Sequence, residues 1–205
     1  MPSNVIVNYI PHGSNSKIFR PILSDDPDYK EFLQFQDDFC SKNGVDFVIF
    51  WNNRNIRRKQ PGDIMLAYRY FCDKLPPEKA KRVCLFMKTA VVDDNGTDLM
   101  AVKRMVCPNY KVLFNQELIE PKYMNFLYNP SDVTVSLSSA EGFGLSFNES
   151  ILAGTCVSGP VTGGLQDQMR FEDENGKWIE FTDEFPTNHT GRYKKCGSWA
   201  FPLFP

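Results

Sequence analysis

The feature that most constrains this chain is a serial alternation of two hydrophobic periods. Short apolar runs rich in β-branched and aromatic residues stand at 45–51 (VDFVIFW), 83–89 (VCLFMKT), 110–114 (YKVLF), 132–137 (DVTVSL) and 155–159 (TCVSG). Between them lie stretches with helical patterning, at 61–74, 97–106, 122–129 and 148–153. Strands separated by helices imply right-handed crossovers, and so a parallel sheet covered on both faces. The expected fold class is therefore α/β, a doubly wound parallel sheet of the Rossmann-like kind. In the doubly wound order 3-2-1-4-5 the first and fourth strands are neighbours. Their connections leave in opposite directions, so a crevice opens at their carboxyl ends. With 45–51 as the first strand, the loop after Trp51 and the loop after Leu137 should face each other.

Both loops carry chemistry. The second, together with the helix and strand after it, reads SSAEGFGLSFNESILAGTCVSGPVTGGLQD over residues 138–167. Strand, glycine turn and helix start are what a phosphate site needs: free N–H groups at a helix N-terminus face the anion, and glycine lets the backbone come close. Glu141 lies in the turn and Glu149 on the helix. Carboxylates do not bind phosphate, but beside a diphosphate they suit hydroxyl groups, such as those of a ribose or a sugar. The facing loop, NNRNIRRKQ at 52–60, is the most basic stretch of the chain. It brings Arg54, Arg57, Arg58 and Lys59 to the same crevice, and basic donors are what a diphosphate requires.

The segment EGFGLSFNESILAG, from Glu141 to Gly154, resembles the E-x7-E signature of family-4 retaining glycosyltransferases, which have the GT-B fold; Ser150 replaces the usual Ala. Arg54 and Lys59 have the spacing of that family's G-R-x-x-x-x-K-G motif, with Asn53 and Gln60 in place of its glycines. The resemblance implies that the chain is the donor-binding, second half of a GT-B enzyme. It makes Arg54 and Lys59 the ligands of the donor diphosphate; Arg57 and Arg58 are rivals for the same work, and Asn53 and Arg58 count among the candidate donor-binding residues. It makes Glu149 the acceptor of ribose hydroxyls and puts Glu141 near the transferred sugar, with Gly142, Phe143, Gly144 and Leu145 lining the turn. A Gly pair near the donor matches Thr162, Gly163 and Gly164, and the end of the third strand makes Phe114 and Asn115 base-contact candidates. The implied activity is transfer of a hexose from a nucleotide sugar with retention. No metal or other cofactor is expected, because basic residues stabilise the leaving diphosphate.

Residues 11–21, PHGSNSKIFRP, are similar to the segment that opens the second domain of these enzymes, with His12 where Asn is usual. The expected organisation is one domain over 1–205: an opening strand and linker at 1–20, the sheet, and an irregular C-terminal extension at 173–205 that ends on apolar residues as if cut short. The partners implied are a nucleotide sugar, an acceptor the sequence does not name, and an N-terminal Rossmann-like domain for which this length has no room. The fragment alone is not expected to be an active enzyme.

Composition narrows the classes. A formal net charge of -2 gives no electrostatic case for nucleic acid or an anionic membrane. No apolar run approaches the roughly 20 residues of a membrane span. The N-terminus lacks the basic and apolar regions of a signal peptide. The cysteines, Cys40, Cys72, Cys84, Cys107, Cys156 and Cys196, show no C-x-x-C spacing. They read as buried free thiols of a cytoplasmic protein. Asp26-Pro27-Asp28 has the letters of a D-x-D metal motif, but no strand precedes it and proline makes it a turn. There is no Walker A motif, and Phe147 stands where the third glycine of a dinucleotide fingerprint belongs. Two alternatives remain. Another GT-B enzyme, such as a sugar-nucleotide epimerase, would carry Arg and His in the cleft in place of the glutamate pair. A non-catalytic nucleotide-sugar-binding or interaction module would keep the fold without turnover.

Overall fold

The computed structural model describes residues 10–179 and 195–204. The strand expected at 4–10 lies outside them except for its last residue. The described chain runs α1 (Tyr29–Asn43), β1 (Phe47–Asn52), α2 (Pro61–Asp73), α3 (Pro77–Ala80), β2 (Val83–Lys88), α4 (Leu99–Val106), β3 (Val112–Asn115), α5 (Pro121–Tyr128), β4 (Val133–Val135), α6 (Leu145–Leu152), β5 (Cys156–Pro160), α7 (Gly163–Met169) and β6 (Ala200–Leu203). The strands form one sheet in the order β3-β2-β1-β4-β5-β6, all pairs parallel. This is the doubly wound α/β fold. β1 pairs with β4 through Ile49 opposite Val133 and Phe50 opposite Thr134, so the switch point lies between them.

Alternation along β1 supplies both cores. Trp51 packs with Ile64, Met65, Tyr68 and Cys72 of α2 and Leu99 of α4. Val48 and Phe50 pack on the other core with Leu127 and Tyr128 of α5, against which Phe35 and Phe39 of α1 also lie. In α2 the buried side chains recur three or four residues apart, as a core-facing helix requires. Tyr70 and Phe71, from the same helix, face outward.

Four elements stand outside the expected organisation: α1, α3, α7 and β6. α1 follows the Asp26-Pro27-Asp28 turn, over residues to which the patterning assigns no helix; Phe32, Phe35 and Phe39 give it an apolar stripe. β6 falls within the tail expected to be irregular. It forms an edge strand on β5, with Val157 opposite Ala200 and Pro160 opposite Leu203. Val157 and Val161 donate to the carbonyls of Trp199 and Leu203, so the odd-numbered residues of β6 face β5. Pro202 therefore turns its missing N–H toward the open edge, where a sheet tolerates proline. All the cysteines are free; Cys72, Cys84 and Cys107 are buried as expected, whereas Cys40, Cys156 and Cys196 are only half-buried.

Candidate functional site

The loops after β1 and β4 meet as the topology requires. Ser139 N–H donates to the Arg58 carbonyl at 3.0 Å, and Arg58 Nη1 donates to the Ala140 carbonyl at 2.7 Å. A 3-10 turn over Arg57–Lys59 shapes the basic loop. Gln60 ends it in the left-handed region at φ 50°, and Pro61 opens α2. The turn swings Lys59 inward, where its Nζ donates to Glu141 Oε2. The Lys59 and Glu141 side chains are only 9% and 13% exposed. Arg58 Nη1 stands 3.6 Å from the same carboxylate oxygen and is half-exposed. Two cations and one carboxylate thus share the mouth of the crevice.

α6 begins at this point. Its N-cap is Gly144 at φ 87°, a conformation that glycine reaches without strain, and no side chain caps the helix. The first-turn N–H groups are left without a side-chain acceptor. The glycine pair after β5 has a packing reason. A Cβ on Gly163 would lie 2.1 Å from the Glu141 carbonyl oxygen, and one on Gly164 2.4 Å from the Gly142 oxygen. Gly164 N–H donates to the Glu141 carbonyl at 3.0 Å. α7 therefore starts directly against the glutamate turn, with Thr162 as its N-cap. Gln168 of α7 adds amide N–H bonds to the carbonyls of Phe143 and Gly144. His12 packs edge-on against Phe143, with centroids 5.8 Å apart. Leu145 is half-exposed at the helix start.

Glu149 sits deeper. Its Oε2 accepts the Tyr128 hydroxyl at 2.7 Å, and that hydroxyl accepts an N–H from Asn52 Nδ2 at 2.8 Å. Burial raises the Glu149 carboxyl above the ordinary carboxylate range, against the opposing pull of the Tyr128 hydrogen bond. The Tyr128 phenol is raised well above its usual value, first by burial and then by the charge of Glu149.

Other residues expected at one site are not brought together. Arg54 points away from the glutamate turn. Its Nε and Nη2 clasp Asp93, in the loop after β2, at 2.7 and 3.1 Å. Asn53 and Asn115 each keep one buried polar atom, Nδ2 and Oδ1 respectively, without a protein partner. Asn115 closes β3, two strands from the switch point. Asp26 and Asp28 are paired to Arg20, and Asp28 also to Lys122. Among the described residues no cluster of His, Cys, Asp and Glu has the makings of a metal site. No helix among them is long and apolar enough to cross a membrane. Sequence reasoning passed over Asn52, Asp93, Tyr128 and Gln168. Asn52 had a signal, a polar residue ending the switch-point strand; Tyr128 had none, since it reads as one more aromatic of a helix.

The fold is that of the C-terminal, Rossmann-like half of GT-B glycosyltransferases. Among solved structures the chain is similar to sucrose-phosphate synthase from Thermosynechococcus elongatus, with 21% identity, a TM-score of 0.56, and coverage of 77% of this chain and 35% of that one. It is similar to Anabaena HepE, solved in complex with UDP and glucose, at 18% identity and TM-score 0.56, covering 76% of this chain and 38% of that one. The isolated C-terminal domain of the group 1 glycosyltransferase LpcC from Francisella tularensis shares 17% identity at TM-score 0.55, over 86% of this chain and 82% of that one. The chain thus spans little more than a third of the length of the first two. No protein-family model and no curated protein matches the sequence.

Proposed function

We propose that this chain is the nucleotide-sugar-binding domain of a retaining glycosyltransferase. The observation that carries the reading is the meeting of Lys59 and Arg58 with Glu141 at the uncapped start of α6, at the switch point of the sheet. Such a place offers a diphosphate two cations and helix N–H groups together. UDP in the HepE complex, a protein of the same fold, supports a nucleoside diphosphate as the ligand class. In this reading Lys59 and Arg58 hold the diphosphate, and Arg54 joins them by exchanging Asp93 for phosphate. Glu149 accepts ribose hydroxyls, and Glu141 faces the transferred hexose. As the glycosidic bond to the leaving diphosphate breaks, the fixed cations stabilise the developing charge. A metal is not needed for this step. The acceptor would be held by a second Rossmann-like domain.

The test is calorimetric titration of the protein with UDP, ADP and GDP in the presence of EDTA, repeated for Lys59→Ala. One of the diphosphates should bind without metal, and Lys59→Ala should cost about 1.5–3 kcal/mol, as for a charged hydrogen bond. Equal binding by the parent and the variant refutes the assignment. Loss of binding in EDTA, restored by magnesium, refutes the metal-free reading.

A further inference from the structure

We propose that Tyr128, itself oriented by Asn52, is the positioning residue that sets Glu149 for hydroxyl recognition. The inference rests on the reading of Glu149 as the acceptor of ribose hydroxyls and adds to it the group that makes that carboxylate work. Three elements meet here. Asn52 ends β1, Tyr128 ends α5 and Glu149 lies in α6. The polarity of the chain is fixed by chemistry. An ionised carboxylate only accepts, so the single phenol proton goes to Glu149 Oε2. The phenol oxygen is then an acceptor, and Asn52 meets it with Nδ2.

The phenol cannot turn away. The Tyr128 ring is fully buried and edge-on to Phe50, at 5.1 Å between centroids, and to Phe19, at 6.1 Å. Glu149 is thereby held by one oxygen. Among the described residues no hydrogen bond reaches its other oxygen, Oε1, which stays available as an acceptor. A hydroxyl pair on a ligand meets a carboxylate already restrained in its rotamer, so less freedom is lost on binding. Burial alone favours the neutral carboxyl, and the Tyr128 hydrogen bond opposes this by favouring the ionised, acceptor-only form.

The test is titration with UDP and with 2′,3′-dideoxy-UDP, which lacks the hydroxyl pair. Tyr128→Phe keeps the ring and removes only the phenol oxygen. It should weaken UDP about tenfold, the loss expected for a hydrogen bond to a charged group, while leaving the dideoxy ligand unchanged. In a Glu149→Ala background the same substitution should cost nothing further. A residue that only supported the fold would weaken both ligands in both backgrounds, which overturns the proposal. As a second variant, Asn52→Asp offers the phenol a rival acceptor and should weaken UDP to a similar degree. If Glu149→Ala weakens UDP while Tyr128→Phe and Asn52→Asp do not, Tyr128 has no such role. If UDP fails to bind the parent, or binds Glu149→Ala unchanged, the underlying reading of the site falls and the proposal with it.

Discussion

Removing the Glu141 carboxylate should destabilise the fold and yet leave the diphosphate site stronger. Lys59 is buried, and among the described residues Glu141 is its one charged partner. Glu141 is better supplied, because Arg58 stands 3.6 Å away on its other side. The two halves of the pair are therefore unequal. Glu141→Gln leaves a buried ammonium with an amide oxygen and a nearby guanidinium. Lys59→Met leaves a carboxylate that still has a cation. Breaking a buried ion pair from one side costs about 3–5 kcal/mol, and the retained amide acceptor and the solvent-facing Arg58 put Glu141→Gln near the lower figure. For a chain of this size about 3 kcal/mol lowers the thermal midpoint by roughly 6–12 °C. Lys59→Met should cost distinctly less. A bound diphosphate supplies the missing negative charge, so UDP should raise the midpoint of Glu141→Gln by more than that of the parent, by mass action. Urea unfolding and thermal melts of both variants, with and without UDP, measure all of this. If Glu141→Gln unfolds like the parent, or if it loses UDP affinity as Lys59→Met does, the asymmetry read from these contacts is wrong.

The same contacts have other consequences. Arg54→Ala should weaken UDP, whereas Asp93→Asn, which frees the guanidinium, should tighten it; calorimetry reads opposite signs if Asp93 competes with phosphate. The folded Glu149 carboxyl is raised above its unfolded value of 4.5 by burial. Its favourable contribution is thus complete below that value and lost as pH rises through the folded one. Glu149→Gln, which keeps an acceptor for Tyr128, should then exceed the parent in urea stability near neutral pH, with the gap closing on acidification; a gap independent of pH would contradict the sign. Gly164→Ala places a Cβ 2.4 Å from the Gly142 carbonyl oxygen and 2.5 Å from Phe143 Cα. It should lower stability by about 1–3 kcal/mol, as overpacking does, and weaken UDP through the displaced turn, both read by melts and titration.

Much of the architecture is legible in the residues because strand interiors leave a dense local signal. VDFVIFW and VCLFMKT can satisfy a central parallel strand and little else, and their order comes from handedness. β6 is hidden by Pro202, which argues against a strand everywhere except at an edge. α7 opens on two glycines, which read as a turn until the close approach of the glutamate turn explains them. α1 is masked by the charges around Asp26 and by the thin stripe of Phe32, Phe35 and Phe39. At the site the sequence places Lys59, Glu141 and Glu149 in one crevice, because topology alone fixes which loops meet. It does not reveal that Arg54 is held by Asp93, 39 residues away, or that Glu149 rests on Tyr128, 21 residues before it. Pairings of that kind depend on where two loops or helices end in space, and no local pattern records them.

On the proposed reading a nucleoside diphosphate occupies the crevice between the loops after β1 and β4. Amide hydrogen exchange of the whole chain, with and without UDP, shows where it binds. Protection should appear at residues 52–60 and 138–150 and be lost in Lys59→Ala. Protection confined to the opposite, amino end of the sheet, around Asp73 and Lys111, would contradict the claim, as would no protection at a UDP concentration that saturates a millimolar site.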